Sequence, residues 1–392
     1  MKRVINLLLL YLLWFKFFSI KPIGYLNSDI HFIIIIIYII ISIIILGNQK
    51  VNSKYATKKY YKDIIWIYIG IALSMLPAHI YYNQSIMQSV FTYRYQLLLL
   101  LVIVYLYKIY PSIAQLIQSI NIFSILICIF FVIKLINPSL YINNYDITDK
   151  SELIIPGFNL ITISIFYHLD KITKQFKIKD FVIIIILISI LFLIQNRSIL
   201  FPVTIMTAWT LLHIRSNYKS IIFVTIIILI PFIYLYTSDT WLNLIDETKS
   251  QLMDSDYNRN KSLEYFLQAS PNILCIILGN GFLSSHTTSR MQDLMELGIY
   301  NSDLGFIGYW NQFGIIPIIV ILSILLKVIF KPYSPYFLKL WALQILACGL
   351  TISYFGNPHQ MIYFALLYYI FYKYENARFC NYYQLQNAKA YY

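Results

Sequence analysis

The stretch from Arg259 to Pro317 reads RNKSLEYFLQASPNILCIILGNGFLSSHTTSRMQDLMELGIYNSDLGFIGYWNQFGIIP. It overlaps a polar segment, residues 237–303, that holds Asp, Glu, Arg, Ser and Asn in quantity and is flanked by long apolar runs. Such a segment between apolar runs predicts a large loop outside the lipid of a membrane protein. Chemistry on a polar substrate is expected in this loop.

The composition decides the class of protein. Hydrophobic residues make up 59% of the chain and charged residues only 12%, against about 25% charged residues in a typical soluble chain. This excludes a soluble fold. The net charge of +13 does not indicate nucleic acid, because Lys and Arg in a membrane protein record its orientation. The four cysteines lack the paired spacing of zinc or redox sites, so we expect no disulfide and no metal.

We predict an all-α polytopic integral membrane protein whose single transmembrane domain covers residues 1–392. Apolar runs long enough to approach the thickness of a bilayer predict twelve spans. They lie near 4–20, 30–46, 64–80, 91–107, 119–136, 153–169, 180–195, 198–214, 220–236, 304–326, 336–355 and 359–373. The first run lacks a small-residue cleavage site, which favours a retained helix over a signal peptide.

The distribution of basic residues predicts the orientation. With the N-terminus in the cytoplasm and the spans alternating, loops 47–63 and 170–180 fall inside together with most of the Lys and Arg residues, as the positive-inside rule requires. Both termini are then cytoplasmic, and two outer segments are large, 137–152 and 237–303.

The larger outer segment, between spans 9 and 10, is expected to form an ordered cap, because long loops in compact proteins are commonly functional. Within it, Ser262–Leu267 is predicted to be helical. The six-residue apolar run Ile273–Leu278 is too short to span a bilayer, so we expect it to pack onto the membrane surface or the helix bundle.

Three motifs carry a family resemblance. They are the outward turn Gln195-Asn196-Arg197-Ser198-Ile199-Leu200; Arg259 about 20 residues before Leu278-Gly279-Asn280-Gly281-Phe282; and Asn301-Ser302-Asp303 opening a helix with Gly308, Gly314 and Pro317. In this order and placement, over roughly residues 180–330, they resemble the O-antigen polymerase and ligase superfamily. The resemblance is strongest to the Wzy-type oligosaccharide repeat-unit polymerases.

The resemblance implies a glycosyltransferase at the periplasmic face of a bacterial inner membrane. Its substrate would be an undecaprenyl-diphosphate-linked oligosaccharide, used without a nucleotide sugar, cofactor or catalytic metal. The lipid bilayer is an implied partner, and a chain-length regulator and a flippase are candidate partners. Ligase-like members often carry His-Asn where this chain has Ser302-Asp303. Either Asp303 takes the role of that His, or the base lies elsewhere.

We predict Asp303, Arg197 and Arg259 as catalytic residues. Arginine offers a fixed charge and paired donors to phosphate oxygens, and a carboxylate can accept the proton of a sugar hydroxyl. The predicted substrate-binding residues are Arg290, Lys261, Gly279, Gly281, His286 and Arg94. Glu264, Glu296 and His286 are the alternative bases on the outer side.

Each of these residues also has a purely structural interpretation. Arg197 and Arg94 could reach the headgroups from the ends of spans, and Arg259 could pair with acidic neighbours on a loop surface. Asp303 could be a helix cap. The two glycines could allow tight turns, or they could bring backbone N–H groups to phosphate.

Three functions remain open at this point: a repeat-unit polymerase, a ligase that transfers finished glycan to lipid A core, and a flippase or transporter of lipid-linked oligosaccharide. Transporters show repeated halves, broken helices and charged groups at the midplane. A layout with one large one-sided loop favours an enzyme over a transporter, and Asp303 in place of His favours the polymerase over the ligase.

Overall fold

The computed structural model describes residues 1–21, 27–47, 54–137, 139, 156–194, 196–213, 258–268, 272–283, 304–350, 355 and 358–389. Within these ranges the chain is helical and has no β-strand. The helices are α1 (Lys2–Trp14), α2 (Lys16–Ser19), α3 (Ser28–Leu46), α4 (Lys54–Leu73), α5 (Met75–Tyr82), α6 (Ile86–Thr92), α7 (Leu97–Ile109), α8 (Ile113–Ile136), α9 (Asn159–Lys174), α10 (Ile178–Ile194), α11 (Arg197–Leu212), α12 (Asn258–Gln268), α13 (Ile273–Leu278), α14 (Gly305–Phe313), α15 (Ile315–Phe330), α16 (Tyr336–Cys348) and α17 (Pro358–Lys389).

Several of these segments have the length and composition of membrane spans. In the described residues, four are long and apolar enough to cross a bilayer: Asp29–Leu46, Tyr61–Tyr82, Ile86–Ile109 and Ile113–Ile136. Shorter apolar helices cover Ser198–Leu212, Ile315–Phe330 and Tyr336–Cys348. The prediction of an all-α fold is confirmed for the described residues, and four of their segments are candidate membrane spans. The number of twelve spans stays a prediction, and the predicted span 220–236 lies outside the described residues.

Two helices form the centre of the bundle. In α17 every side chain from Met361 to Tyr372 is buried, and in α9 nearly every side chain is buried. A helix that is buried on all sides lies in the core of a bundle, whereas an amphipathic helix lies at its surface. Helix α9 contacts α8, α10, α11 and α16, while α17 contacts α7 and α16. By contrast, α3 and α10 expose isoleucines such as Ile44, Ile45 and Ile186.

The first predicted span, 4–20, is not one continuous helix. Helix α1 ends at Trp14, and all four residues of the following turn, Lys16–Ser19, have positive φ. Left-handed backbone cannot extend a right-handed helix, so the chain changes direction here. Phe18 in this turn is buried and stacks on Phe130 of α8.

The predicted span 304–326 is also divided into two helices. Gly314 separates α14 from α15 with φ +80° and ψ −176°, a backbone conformation reserved for glycine. Pro317 then follows in the first turn of α15, where proline is tolerated because that N–H has no helical partner. Helix α15 runs antiparallel to α4, since a Cβ on Gly70 would press against Pro317 while Lys327 lies 3.6 Å from Asp63.

Other predicted boundaries shift for local reasons. Residues 153–169 were expected as a span, but α9 begins only at Asn159 because Gly157, with φ +90°, forms a turn ahead of it. The predicted span 64–80 is interrupted at Ser74. Pro77 lies three residues after Ser74, next to Ala78, and its missing N–H weakens the helix at this point.

The last two predicted spans also have different ends in the structure, and the polar segment contains two helices. Helix α16 ends at Cys348 instead of 355, and α17 continues past 373 to Lys389. In the polar segment, the predicted helix at Ser262–Leu267 is confirmed within α12, and Ile273–Leu278 forms α13, which packs against α5, α14 and α15.

One end of the bundle collects basic residues. Arg3 donates to the carbonyl oxygen of Tyr110, and Lys373 Nζ donates to that of Pro111 at 2.6 Å. Helix α9 runs antiparallel to α8, because Ser164 bonds to Asn121 and Leu160 to Ser124. The C-terminal lysines of α9 therefore lie at this same end of the bundle, which we call the basic end.

Candidate functional site

The segment Leu278–Phe282, with the sequence LGNGF, lies at the end of the bundle opposite the basic end. Its consecutive backbone N–H groups are all used within the chain. Gly279 donates to Cys275 O, Asn280 to Asn311 O at 2.7 Å and Gly281 to Gln312 O at 2.9 Å. Phe282 N donates to the Tyr93 hydroxyl at 2.7 Å. These bonds connect the segment to the C-terminal turn of α14 and to the 3-10 turn Tyr93–Gln96.

Both glycines of this segment are required by geometry. Gly279 has φ +86° and Gly281 has φ +80°, values that side chains rarely tolerate. A Cβ at Gly281 would lie 2.6 Å from the Cβ of Ala78, and one at Gly279 would strike the backbone of Gln312 and Gly314. This geometry accords with the tight-turn interpretation. Phosphate binding by these amides stays a prediction, and it would require the hydrogen bonds to open.

Side chains hold the same segment from both sides. Tyr82 donates to Asn280 Oδ1 at 2.9 Å, and Gln84 Nε2 donates to the carbonyl oxygen of Phe282 at 3.2 Å. Trp310 Nε1 donates to Ile276 O at 2.8 Å, and Asn272 at the start of α13 bonds to Tyr81. The LGNGF segment thus joins α5, α13 and α14 into one unit.

Two residues that are close in sequence to predicted catalytic residues form hydrogen bonds with consecutive residues at the C-terminal end of α16. Cys348 Sγ donates to Ser198 O at 3.0 Å, and Ser198 directly follows Arg197. Phe306 N donates to Gly349 O at 2.7 Å, and Phe306 lies three residues after Asp303. The C-terminal end of α16 is therefore a common anchor for the Arg197 turn and for the helix that follows Asp303.

The third predicted catalytic residue, Arg259, lies in the first turn of α12. Helix α12 packs against α14, with Asn311 Nδ2 donating to Phe266 O at 3.5 Å. Lys261 on the same helix is partly exposed and Glu264 is exposed, and both have interactions within the protein. For Arg197 and Arg259 the backbone alone is described, so the directions of their side chains stay predictions. Asp303, Arg290, His286 and Glu296 lie outside the described residues.

Arg94 is held in a structural ion pair. Its Nε lies 3.1 Å from Asp29 Oδ1, its Nη2 lies 2.5 Å from the same oxygen, and Tyr95 also donates to that oxygen at 3.0 Å. The two charged side chains are 33% and 58% exposed, so the pair contributes little to stability. It connects the first turn of α3 to the 3-10 turn, and a phosphate would have to compete with Asp29 for this guanidinium.

A cluster of amide and hydroxyl side chains, which the sequence analysis did not single out, lies one turn from the α16 anchor. Thr162 Oγ1 donates to Gln344 Oε1 at 2.8 Å, and Asn159 Nδ2 donates to Gln360 Oε1 at 2.5 Å. Among the residues that the structure describes, Asn159 Oδ1 is buried and has no hydrogen-bond partner. Polar side chains within apolar helices are costly and often functional, and this was the signal that could have pointed to them.

No group of three or more His, Cys, Asp or Glu side chains that could hold a metal ion occurs in the described part of the chain. Burial raises the pKa of the Cys275 thiol, which keeps it in the weakly nucleophilic protonated form.

Comparison of the sequence with models of known protein families gave no match, and comparison with curated protein sequences gave none either.

Proposed function

We propose that this protein is an oligosaccharide repeat-unit polymerase, which transfers the growing glycan from undecaprenyl diphosphate to a new lipid-linked repeat unit. The observation that carries the proposal is the common anchor on α16. Ser198, next to Arg197, and Phe306, close to Asp303, bond to the consecutive residues Cys348 and Gly349. The turn that holds Arg197 and the helix that follows Asp303, which are far apart in sequence, are thereby attached to one end of the bundle.

In the proposed reaction, the bond between the anomeric carbon of the growing chain and the diphosphate oxygen breaks. The acceptor hydroxyl oxygen forms the new bond to that carbon, its proton passes to a base, and undecaprenyl diphosphate leaves. Arg197 and Arg259 would compensate the charge that develops on the leaving diphosphate. Asp303 would take or orient the proton of the hydroxyl.

The arrangement of charge supports a periplasmic site. Lys327, Lys373 and Arg3 make their contacts at the basic end of the bundle, and basic residues mark the cytoplasmic side of membrane proteins. The LGNGF segment and the α16 anchor lie at the other end. If the basic end faces the cytoplasm, the candidate site faces the periplasm, where a flipped lipid-linked glycan is presented.

Two related functions compete with this proposal. A ligase would use the same leaving group with a different acceptor, and no contact in the described residues distinguishes the acceptor. Transport of lipid-linked oligosaccharide is favoured by one observation, the break between α14 and α15 at Gly314, because transporters bind substrates at discontinuous helices. In this protein the LGNGF segment packs against the break and so occupies the place where a transporter would bind its substrate. We therefore rank an enzyme ahead of a transporter.

The surface glycan of a strain that lacks this protein separates the three functions. Single repeat units on the lipid A core are the result expected for a polymerase. Polymer that accumulates on undecaprenyl lipid would instead indicate a ligase. Single units trapped on the cytoplasmic side would indicate a flippase.

A further inference from the structure

A second site lies at the basic end of the bundle, far from the LGNGF segment. A cavity of about 820 Å³ lies between α8, α9 and α10. Helix α9 forms its floor, because it packs against both of the other helices. Four lysines line the mouth of the cavity, at the turn from α9 to α10: Lys171, Lys174, Lys177 and Lys179.

Buried carboxylates compensate only two of these lysines. Lys174 Nζ lies 2.7 Å from Asp170, and Lys171 Nζ lies 3.7 Å from Asp180. Asp180 also accepts a short contact of 2.6 Å from His168 Nδ1. The side chains of Asp170 and Asp180 are only 6% and 7% exposed, although Asp180 also lines the cavity.

The other two lysines are available to a ligand. Lys177 and Lys179 are exposed, and neither ammonium group makes an ion pair or a hydrogen bond with the residues that the structure describes. Because both carboxylates at this turn are already neutralised, the mouth keeps two uncompensated positive charges. Two ammonium groups that line the same cavity favour a phosphate or another anion.

Besides the polar side chains of Asn121, Ser124, Ser164 and His168, the cavity has an apolar side that is open. This apolar wall is lined by Ile125 and Ile129 of α8 and by Ile183, Ile186 and Leu187 of α10. Ile125, Ile129 and Ile186 are about half exposed, at 56%, 48% and 51%. In a membrane these side chains contact lipid tails, so the wall is continuous with the hydrocarbon region while the mouth is basic.

We propose that this cavity binds an anionic phospholipid, with its phosphate between Lys177 and Lys179 and one acyl chain along the isoleucines of α8 and α10. A free phosphate could contact the lysines at the mouth but not the apolar wall. A zwitterionic lipid could contact the apolar wall but has no net negative charge for the lysines. Basic recesses between transmembrane helices on the cytoplasmic side bind anionic headgroups for this combination of reasons. The proposal does not depend on the enzymatic function.

The test uses the whole purified protein in detergent, with bound lipid measured by native mass spectrometry. Phosphatidylglycerol is expected to bind, whereas phosphatidylcholine with the same acyl chains and soluble glycerol phosphate are expected to bind weakly or not at all. The double variant Lys177→Gln/Lys179→Gln should weaken phosphatidylglycerol binding roughly 30-fold, the effect of two lysine–headgroup contacts. Its unfolding temperature without added lipid should equal that of the unmodified protein.

A matched control removes the same charge elsewhere at the basic end. Lys108→Gln/Lys339→Gln changes two lysines that do not line the cavity, so it should bind phosphatidylglycerol as the unmodified protein does. Equal losses in both double variants would mean a general charge effect and overturn the site. If phosphatidylcholine bound equally well, the cavity would be a nonspecific lipid contact. If glycerol phosphate bound tightly, the cavity would be a phosphate site instead.

Discussion

Gly279 and Gly281 are tightly constrained positions of the candidate site. Their φ angles of +86° and +80° and the lack of space for a Cβ fit no other residue type. The sequence predicted tight turns here from the GxG pattern. It could not predict that the Tyr93 hydroxyl would accept from Phe282 N and that Gln312 O would accept from Gly281 N, because these contacts join separate helices and depend on how the helices pack.

Arg94 shows the same limit of prediction from sequence for a charged residue. Its position near the end of a predicted span allowed either a headgroup contact or a substrate contact. Its partner proved to be Asp29, at the start of another helix. An ion pair between two span ends carries no sequence signature, since each residue separately looks like an ordinary interfacial charge.

Asp303 provides a prediction at this scale. Asp303→Asn keeps an oxygen that can cap the following helix but removes the charge, so protein level should stay normal. If the carboxylate acts as the base, elongation should slow by about two orders of magnitude or more. The length distribution of the glycan on a gel, beside an immunoblot of the protein, measures both quantities.

The matched variant Glu264→Gln tests the alternative base on α12. Normal polymer from Asp303→Asn together with short chains from Glu264→Gln would transfer the role of base to Glu264. Normal polymer from both variants would leave Glu296 and His286 as candidates and reduce Asp303 to a cap.

At the scale of elements, the break at Gly314 determines how the outer end is built. The hydropathy of residues 304–326 predicted one continuous span, because a moving average of apolar character does not register a single glycine with positive φ. The break turns α14 so that Asn311 and Gln312 present their carbonyl oxygens to Asn280 and Gly281. Without it, the LGNGF segment would lose its main attachment.

Gly314→Ala should therefore destabilise the protein. The backbone conformation alone costs an alanine on the order of 1–3 kcal/mol, and the added Cβ would meet the backbone of Ile277 and Leu278. We expect a lower unfolding temperature in detergent and less protein in the membrane. Ile319→Ala, on the outward face of α15 with 57% exposure, is the control and should behave like the unmodified protein. Equal unfolding temperatures for Gly314→Ala and the unmodified protein would refute the account of the break.

At the scale of the whole molecule, composition predicted the helical fold correctly, since few charged residues and many long apolar runs favour apolar helices long enough to be candidate membrane spans. Helix α9 and helix α17 form its centre, a division that hydropathy does not reveal because buried and lipid-facing helices are equally apolar. The topology remains a prediction. It holds that the basic end, with Lys177, faces the cytoplasm and that Ser255 lies outside.

Single-cysteine labelling of a functional cysteine-free variant tests this topology in intact cells. A membrane-impermeant reagent should label Ser255→Cys and should label Lys177→Cys and Lys58→Cys only after the membrane is opened. The physical reason is the cost of moving basic loops across the membrane during insertion. The reverse pattern of labelling would mean the opposite orientation in the membrane, with the candidate site on the cytoplasmic side.

The central claim is that Arg197 and Arg259 serve one site for a lipid diphosphate, and the glycan ladder of single variants tests it most directly. Arg197→Ala and Arg259→Ala should each collapse the ladder to short chains at unchanged protein level. Losing one charge-assisted contact of about 1.5–3 kcal/mol slows the step by roughly one to two orders of magnitude. Arg→Lys at either position should restore activity only in part, because ammonium lacks the paired donors of guanidinium. Arg378→Ala, in the predicted cytoplasmic tail, should leave the ladder intact, whereas full-length ladders from both Arg197→Ala and Arg259→Ala at equal expression would contradict the account.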